Sequence, residues 1–414
     1  MKVSTIDKQG FLIDYIRRSG KTSRNEIAKR FNLNSATVTN ITERLLESRV
    51  IVEDKTATPV AFDSAGRPPI ILRLNPDAAY FIGVNFNAEG LCACTTDFTG
   101  RPVKTITRLF PPSLYKDTVI KSINAAIGEL IENGGVDKSK IQGIGIGVPG
   151  TLNIRSGHAV SYLRIKKWKD VPLAEIISSV FSLPVFVENN SNCFALGEIS
   201  NGDAQQYANM VAIVIRAGIG IGIIHNREIF SFSPVSAGNL GHITLNPKGG
   251  KCWCGNHGCL ETLISGWILS KKIKQALKKG DLGPSGIPMD TRGFCLLAAT
   301  GDAFAISTLE GMFEYLGIAV ADIFRLIRPD AIVIDGHFNG ARVLMKEKID
   351  QVMKARLNSG EGLPEIIIST SDDTIGACGA ALMAISRLYN PLTFEAFTLQ
   401  SGQFAKGEST PSVL

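Results

Sequence analysis

Residues 241–261 read GHITLNPKGGKCWCGNHGCLE. Three thiols, Cys252, Cys254 and Cys259, fall within eight residues, and His242 stands ten residues before the first of them. Three thiols and one imidazole can close a tetrahedral site of the kind that holds structural zinc, with no open position for a reacting water. Glycines at 249, 250, 255 and 258 let the backbone fold around one ion. His257, inside the loop, is a rival imidazole ligand. His242 is preferred because three thiolates so close in sequence need a fourth ligand from a separate segment. The alternative is a set of reduced free cysteines in a glycine-rich loop. Eight cysteines in 414 residues, the other five scattered through apolar runs, are too few and too uneven for a disulfide scaffold.

A chain of 414 residues with 44% hydrophobic and 20% charged residues can bury a large core in two to three domains. The opening MKVSTIDKQGFLIDYIRRSG has no apolar run or small-residue cleavage site of a secretory leader, and no uninterrupted apolar stretch predicts a membrane span. The net charge of +6 is concentrated at the start. Residues 1–75 hold 13 Lys and Arg against 8 Asp and Glu, a net of +5. A small basic segment points to a polyanionic partner.

That segment predicts three helices over residues 6–50. Phe11, Leu12, Tyr15 and Ile16 recur at helical spacing, with Gly20 as a stop. Ser23 and Glu26 form a capping-box pair before a second helix, Arg24–Phe31. Ser35 is expected to cap a third helix, which turns Val38, Ile41 and Leu45 inward. Two short helices joined by a tight turn make a helix-turn-helix pattern. Arg24, Ser35, Ala36, Thr37, Thr39, Asn40 and Arg44 are the expected DNA-facing residues, since short polar side chains contact base edges and phosphates. Val50–Val52 and Ile70–Leu72 would form a wing. Arg67, in Gly66-Arg67-Pro68, would enter a minor groove. Asn75-Pro76-Asp77 marks a boundary. Beyond it strands and helices alternate to Leu388, with early glycine hairpins that predict a mixed α/β sheet. The glycine runs 143–150 and 217–222 are read either as ligand approaches or as close packing.

The stretch Cys252–Glu261, Cys-x-Cys-Gly-x-x-Gly-Cys-x-Glu, resembles the signature of the ROK family, which includes sugar kinases and sugar-linked repressors. The likeness extends over about 78–389, and the helix-turn-helix resembles that of the repressor branch. The resemblance implies a winged helix-turn-helix over 1–77 and a two-lobed, actin-like (ribonuclease H-like) body over 78–390. Lobe one would cover about 78–190 plus the helix 376–389, and lobe two about 191–375. A polar tail follows at 391–414. It also implies zinc on His242, Cys252, Cys254 and Cys259, and a sugar cleft between the lobes.

The kinase machinery is altered at four places. The first phosphate loop reads Gly83-Val84-Asn85-Phe86-Asn87-Ala88-Glu89, with an amide for the acid and Glu89 set to repel a phosphate. The base motif reads Glu188-Asn189-Asn190, and an amide cannot accept the sugar proton as the kinase Asp does. Arg216 and Ile221 stand where small residues are expected, and the late glycine turn reads Asp335-Gly336-His337. No catalytic residue is therefore expected. Tyr162, Asn189, Asn190, Asn239 and Glu261 are the expected ligand contacts, with a silent cleft as the alternative. His158, His225 and His337 are read as ordinary loop or surface residues. The expectation is a cytoplasmic, homodimeric repressor of carbohydrate genes that binds operator DNA and senses a small carbohydrate. Its rivals are a sugar kinase with an added DNA-binding domain and a repressor controlled by a protein partner.

Overall fold

The structure, a computed structural model, describes residues 5–54, 69–230, 238–282, 287–358, 360 and 362–389. Arg67 and the tail 391–414 lie outside the described residues.

A small head opens the chain: α1 (Thr5–Ser19), β1 (Thr22–Ser23), α2 (Arg24–Phe31), α3 (Ser35–Glu47), β2 (Ile51–Asp54) and β3 (Ile71–Leu74). The strands form an antiparallel sheet in the order β1-β3-β2. Ser23 and Glu26 make the expected capping box at the start of α2. Asn34, rather than Ser35, caps α3. Its extended backbone brings Oδ1 back to accept from the Thr37 amide at 2.8 Å, and Ser35 is already the first helical residue. Ile27, Val38, Ile41 and Leu45 bury against Leu12, Ile16 and Leu72. Burying aliphatic side chains of this size contributes roughly 1.5–3 kcal/mol each, which holds three short helices that would be marginal alone.

The body begins with β4 (Tyr80–Phe86), β5 (Gly90–Thr96), β6 (Pro102–Leu109), α4 (Lys116–Asn133) and β7 (Ile141–Val148). Three short strands follow, β8 (Thr151–Asn153), β9 (His158–Ser161) and β10 (Lys169–Val171), then α5 (Leu173–Phe181), β11 (Val185–Asn189) and α6 (Asn190–Asn201). The second half runs β12 (Met210–Ile215), β13 (Ile219–His225), β14 (Glu228–Ile229), α7 (Glu261–Ile264), α8 (Gly266–Lys279), α9 (Thr291–Ala299) and α10 (Ala303–Ile327). It closes with β15 (Ala331–Gly336), α11 (Arg342–Arg356), β16 (Glu365–Ile368) and α12 (Thr374–Tyr389).

Two mixed five-stranded sheets result, β11-β7-β4-β5-β6 and β14-β13-β12-β15-β16. Both follow one plan. The first strand in sequence, β4 or β12, sits in the middle. Antiparallel hairpins extend one side, and strands reached by helical crossovers lie parallel on the other. No repeat is visible in the sequence, so the duplication exists only at the level of pairing.

α6 and α12 pack together against both sheets. The contact is close because glycines face it: a Cβ on Gly145 would meet Ala380 O at 1.9 Å, and one on Gly379 would meet Cys193 O at 1.7 Å. The runs 143–147 and 220–222 thus serve packing against α12, Asn85 and α6 rather than ligand approach. α10 is long and apolar enough to span a membrane by composition. Its Leu309, Phe313, Leu316 and Val320 lie in the core of the second half.

Candidate functional site

The cysteine loop gathers the predicted donors. Ligand atoms of His242, Cys252, Cys254 and Cys259 all lie within 4.8 Å of one another. Cys252 Sγ is 3.6 Å from His242 Nδ1, and Cys254 Sγ is 3.6 Å from Cys259 Sγ. Ligands about 2.3 Å from one tetrahedral zinc ion sit roughly 3.8 Å apart, so the donors are spaced for a single metal. Short bridges, Thr244 to Cys259 and Lys251 to His257, fold the loop onto itself. Gly255 and Gly258 turn through positive φ of 99° and 64°. His257 is exposed and outside the cluster.

This loop is tied to the expected ligand wall. Trp253 packs edge-on to the His242 ring, with centroids 4.6 Å apart, and its Nε1 donates to Glu261 Oε1 at 2.7 Å. Arg164 Nη2 donates to the same oxygen at 2.8 Å and to Ala217 O at 2.9 Å. Glu261 Oε2 lies over Gly218, where a Cβ would approach it to 2.9 Å. Glu261 is buried at 6% exposure, so its charge needs these donors. Tyr162 sits close by. Burial pushes its phenol above the ordinary value, Arg164 opposes the shift, and Glu261 and Glu89 add to it. Arg164 and Trp253 escaped the sequence reading because no local pattern links them to Glu261. Asn189 caps α6, its Oδ1 accepting from the Ser191 amide at 2.9 Å. Asn239 is exposed at the start of the turn Leu240–His242.

A cavity of about 500 Å³ opens between the two sheets. Of the five expected ligand contacts, only Asn190 lines it. Asn190 Nδ2 donates to Phe86 O at 3.2 Å. The altered kinase positions Asn85, Phe86, Asn87, Glu89, Arg216, Asp335, Gly336 and His337 also line the cavity, and the charged ones among them are paired with one another. Arg216 Nη2 donates to Asp335 at 2.6 Å and lies 3.3 Å from Asp373. Asn339 steadies Asp335 at 2.8 Å. Burial alone would lower the Arg216 pKa; Asp335 and Asp373 outweigh it and raise the value. From the other hairpin, Glu89 reaches His337 Nε2 at 2.9 Å. Burial alone would raise the Glu89 pKa; His337, Arg216 and the Ala217 amide outweigh it and hold the carboxyl below its ordinary value. The expectation that His337 is an ordinary loop or surface residue is therefore corrected. His337 closes a contact 248 residues long between the two halves.

On the head, Ala36, Asn40 and Arg44 recur every four residues along α3 and are all exposed, with Ser35 beside them. Thr37 and Thr39 are half-buried. Arg24 does not simply face outward: its Nε donates to Thr42 at 2.9 Å and fixes α2 against α3. The face also exposes Glu43 and Glu47, which the sequence reading passed over.

Comparison with known proteins places these features. A model of the ROK family matches residues 92–387. The xylose repressor of Bacillus subtilis (strain 168) is 26% identical over 389 residues, covering 93% of this chain and 96% of that protein. The DNA-binding transcriptional dual regulator NagC of Escherichia coli (strain K12) is 27% identical over 348 residues, covering 82% of this chain and 83% of that protein. Among solved structures, a ROK family transcriptional regulator described as a homolog of the E. coli MLC protein superposes with a TM-score of 0.76 at 25% identity. It covers 95% of this chain and 100% of its own. The family match takes in the cysteine loop, the second sheet and the larger part of the first, and this chain belongs to the ROK family.

Proposed function

We propose that this chain is a sugar-responsive transcriptional repressor of carbohydrate genes, with no phosphotransferase activity. One observation carries the reading. At the position of the kinase carboxylate stands Asn190, an amide tied to Phe86 O at 3.2 Å that cannot take up a proton. Relatives named xylose repressor and NagC support the same assignment.

The head is a winged helix-turn-helix, with α3 as the recognition helix and β2–β3 as the base of the wing. Ser35, Ala36, Thr37, Thr39, Asn40 and Arg44 face DNA, and Arg67 reaches the minor groove. Arg24 is a positioning residue that holds α3 through Thr42. One short helix buries too little surface for specific binding at physiological salt, so the chain acts as a homodimer on paired half-sites. The setting is the cytoplasm, where operator DNA lies.

A small carbohydrate binds on the wall made by Tyr162, Asn189, Asn190, Asn239 and Glu261. Paired donors and acceptors on that wall suit vicinal hydroxyls, because buried groups left unmatched are costly. Arg164 and Glu261 come from opposite halves of the body, so a sugar beside them shifts the population of lobe arrangements and with it the head. Zinc held by His242, Cys252, Cys254 and Cys259 supplies a structural cross-link. Trp253 passes that rigidity to Glu261.

The test uses the purified full chain and an operator selected from random duplexes. Asn40→Ala and Arg44→Ala should each weaken operator binding by about 1–3 kcal/mol without unfolding the body. A thermal-shift series with D-xylose and N-acetylglucosamine reads the sugar side. Sugar-dependent ATP turnover, or no duplex binding at low salt, overturns the reading.

A further inference from the structure

The head does not hang from the body by a linker. α1 packs on α12 and shares a core with both halves: Leu12, Ile13 and Ile16 join Leu382 and Ile385 of α12 and Ile224 of β13. Two points along it touch different lobes. At Gly10 the helix backbone lies on the last turn of α12, where a Cβ would meet Tyr389 O at 2.1 Å. Eight residues on, about 12 Å along the axis, Arg18 pairs with Glu228 at the start of β14, on the edge of the second sheet.

Between these points lies Asp14, 0% exposed, with Arg17 Nη2 at 2.9 Å and Arg18 Nη2 at 3.1 Å. A buried carboxylate is tolerated only when it is paired. Here the pairing aims two arginines at one turn of the second sheet. Arg17 lies close enough to Arg227 to lower its pKa, although burial is the larger cause. Arg227 donates to Gln205 O, Tyr207 O and Ile199 O, so the turn it belongs to is fixed to its own half. The patch gathers Arg17, Arg18 and Arg227 against Asp14 and Glu228. Loss of Glu228 leaves three cations facing one anion.

We propose that α1 is a strap across the two lobes, seated on α12 at Gly10 and releasable at Arg18–Glu228, so that rotation between the sheets is read directly as a change in the seating of the head. Both contacts persist only at one lobe angle. When the angle changes, the close backbone seat at Gly10 holds and the ion pair, more than a quarter exposed on each side, yields. Only the consequence for DNA rests on the reading of the head as a DNA-binding unit. The strap itself is a statement about α1 and the body.

Amide hydrogen exchange on the full chain, without sugar or DNA, tests it. Glu228→Gln should speed exchange over residues 15–19 and 225–229 by roughly threefold to tenfold, with the amides near Gly10 still protected. Glu89→Gln, which weakens the distant contact to His337, should speed the same α1 amides if lobe rotation is what the strap reads. Asp14→Asn should free both arginines, and a fold retained by circular dichroism keeps that result interpretable. Exchange confined to residues 225–229 with α1 unchanged, or no response of α1 to Glu89→Gln, overturns the proposal. Failure of Asn40→Ala and Arg44→Ala to weaken operator binding while the strap responds would sink the DNA-binding reading alone.

Discussion

The cysteine loop and the cleft between the sheets hold polar groups in opposite arrangements. In the loop, four donors converge within 4.8 Å of one another, spaced for one ion. In the cleft, charges that stand where kinase residues would be have found partners in one another: Arg216 with Asp335, and Glu89 with His337. Four soft donors gathered at one point suit a single ion that binds them all at once. Opposite charges that meet in a cleft satisfy one another, because buried ones left unpaired are costly in low dielectric.

The strongest way to break the comparison is at the loop. Cys259→Ser should take metal content from about one ion per chain to near zero and lower the melting temperature by roughly 5–10 °C. Elemental analysis and calorimetry check it. Full metal with unchanged melting would mean that the convergence is incidental. Next comes the cleft. Asp335→Asn leaves Arg216 without its nearest partner and should destabilise by about 2 kcal/mol in denaturant titration.

A smaller effect is expected from Glu89→Gln, about 0.5 kcal/mol at neutral pH, because the Glu89 side chain is 42% exposed and solvent screens the pair. Its pKa is lowered in the folded chain, so its contribution is present above the ordinary carboxylate value of 4.5 and is lost as pH falls through the lower folded value. The gap between wild type and variant should therefore close in acid. A gap that widens in acid would reverse the assignment. The smallest expected effect is none. Asn190→Asp restores one carboxylate but leaves Glu89, Arg216 and His337 in the cleft between the sheets. No ATP-dependent phosphorylation of xylose, glucose or N-acetylglucosamine should appear in a coupled assay. Turnover in that variant would show that a single residue separates the receptor from a kinase.

The amino-acid order alone determined what is short in range. Cys252, Cys254 and Cys259 lie within ten residues of Glu261, so their spacing already limits how they can meet. The same holds for the capping box at Ser23 and for the amphipathic pattern of α3. Even there a one-residue choice was open, and extended geometry at Asn34 rather than Ser35 settled the cap. Tertiary structure alone decided the shared plan of the two sheets, the pairing of Glu89 with His337, the clasp of Arg164 and Trp253 on Glu261, and the seating of α1 on both halves. Each joins residues whose separation carries no period or motif. Such pairs form because topology brings them to one place, and burial there then selects the partners.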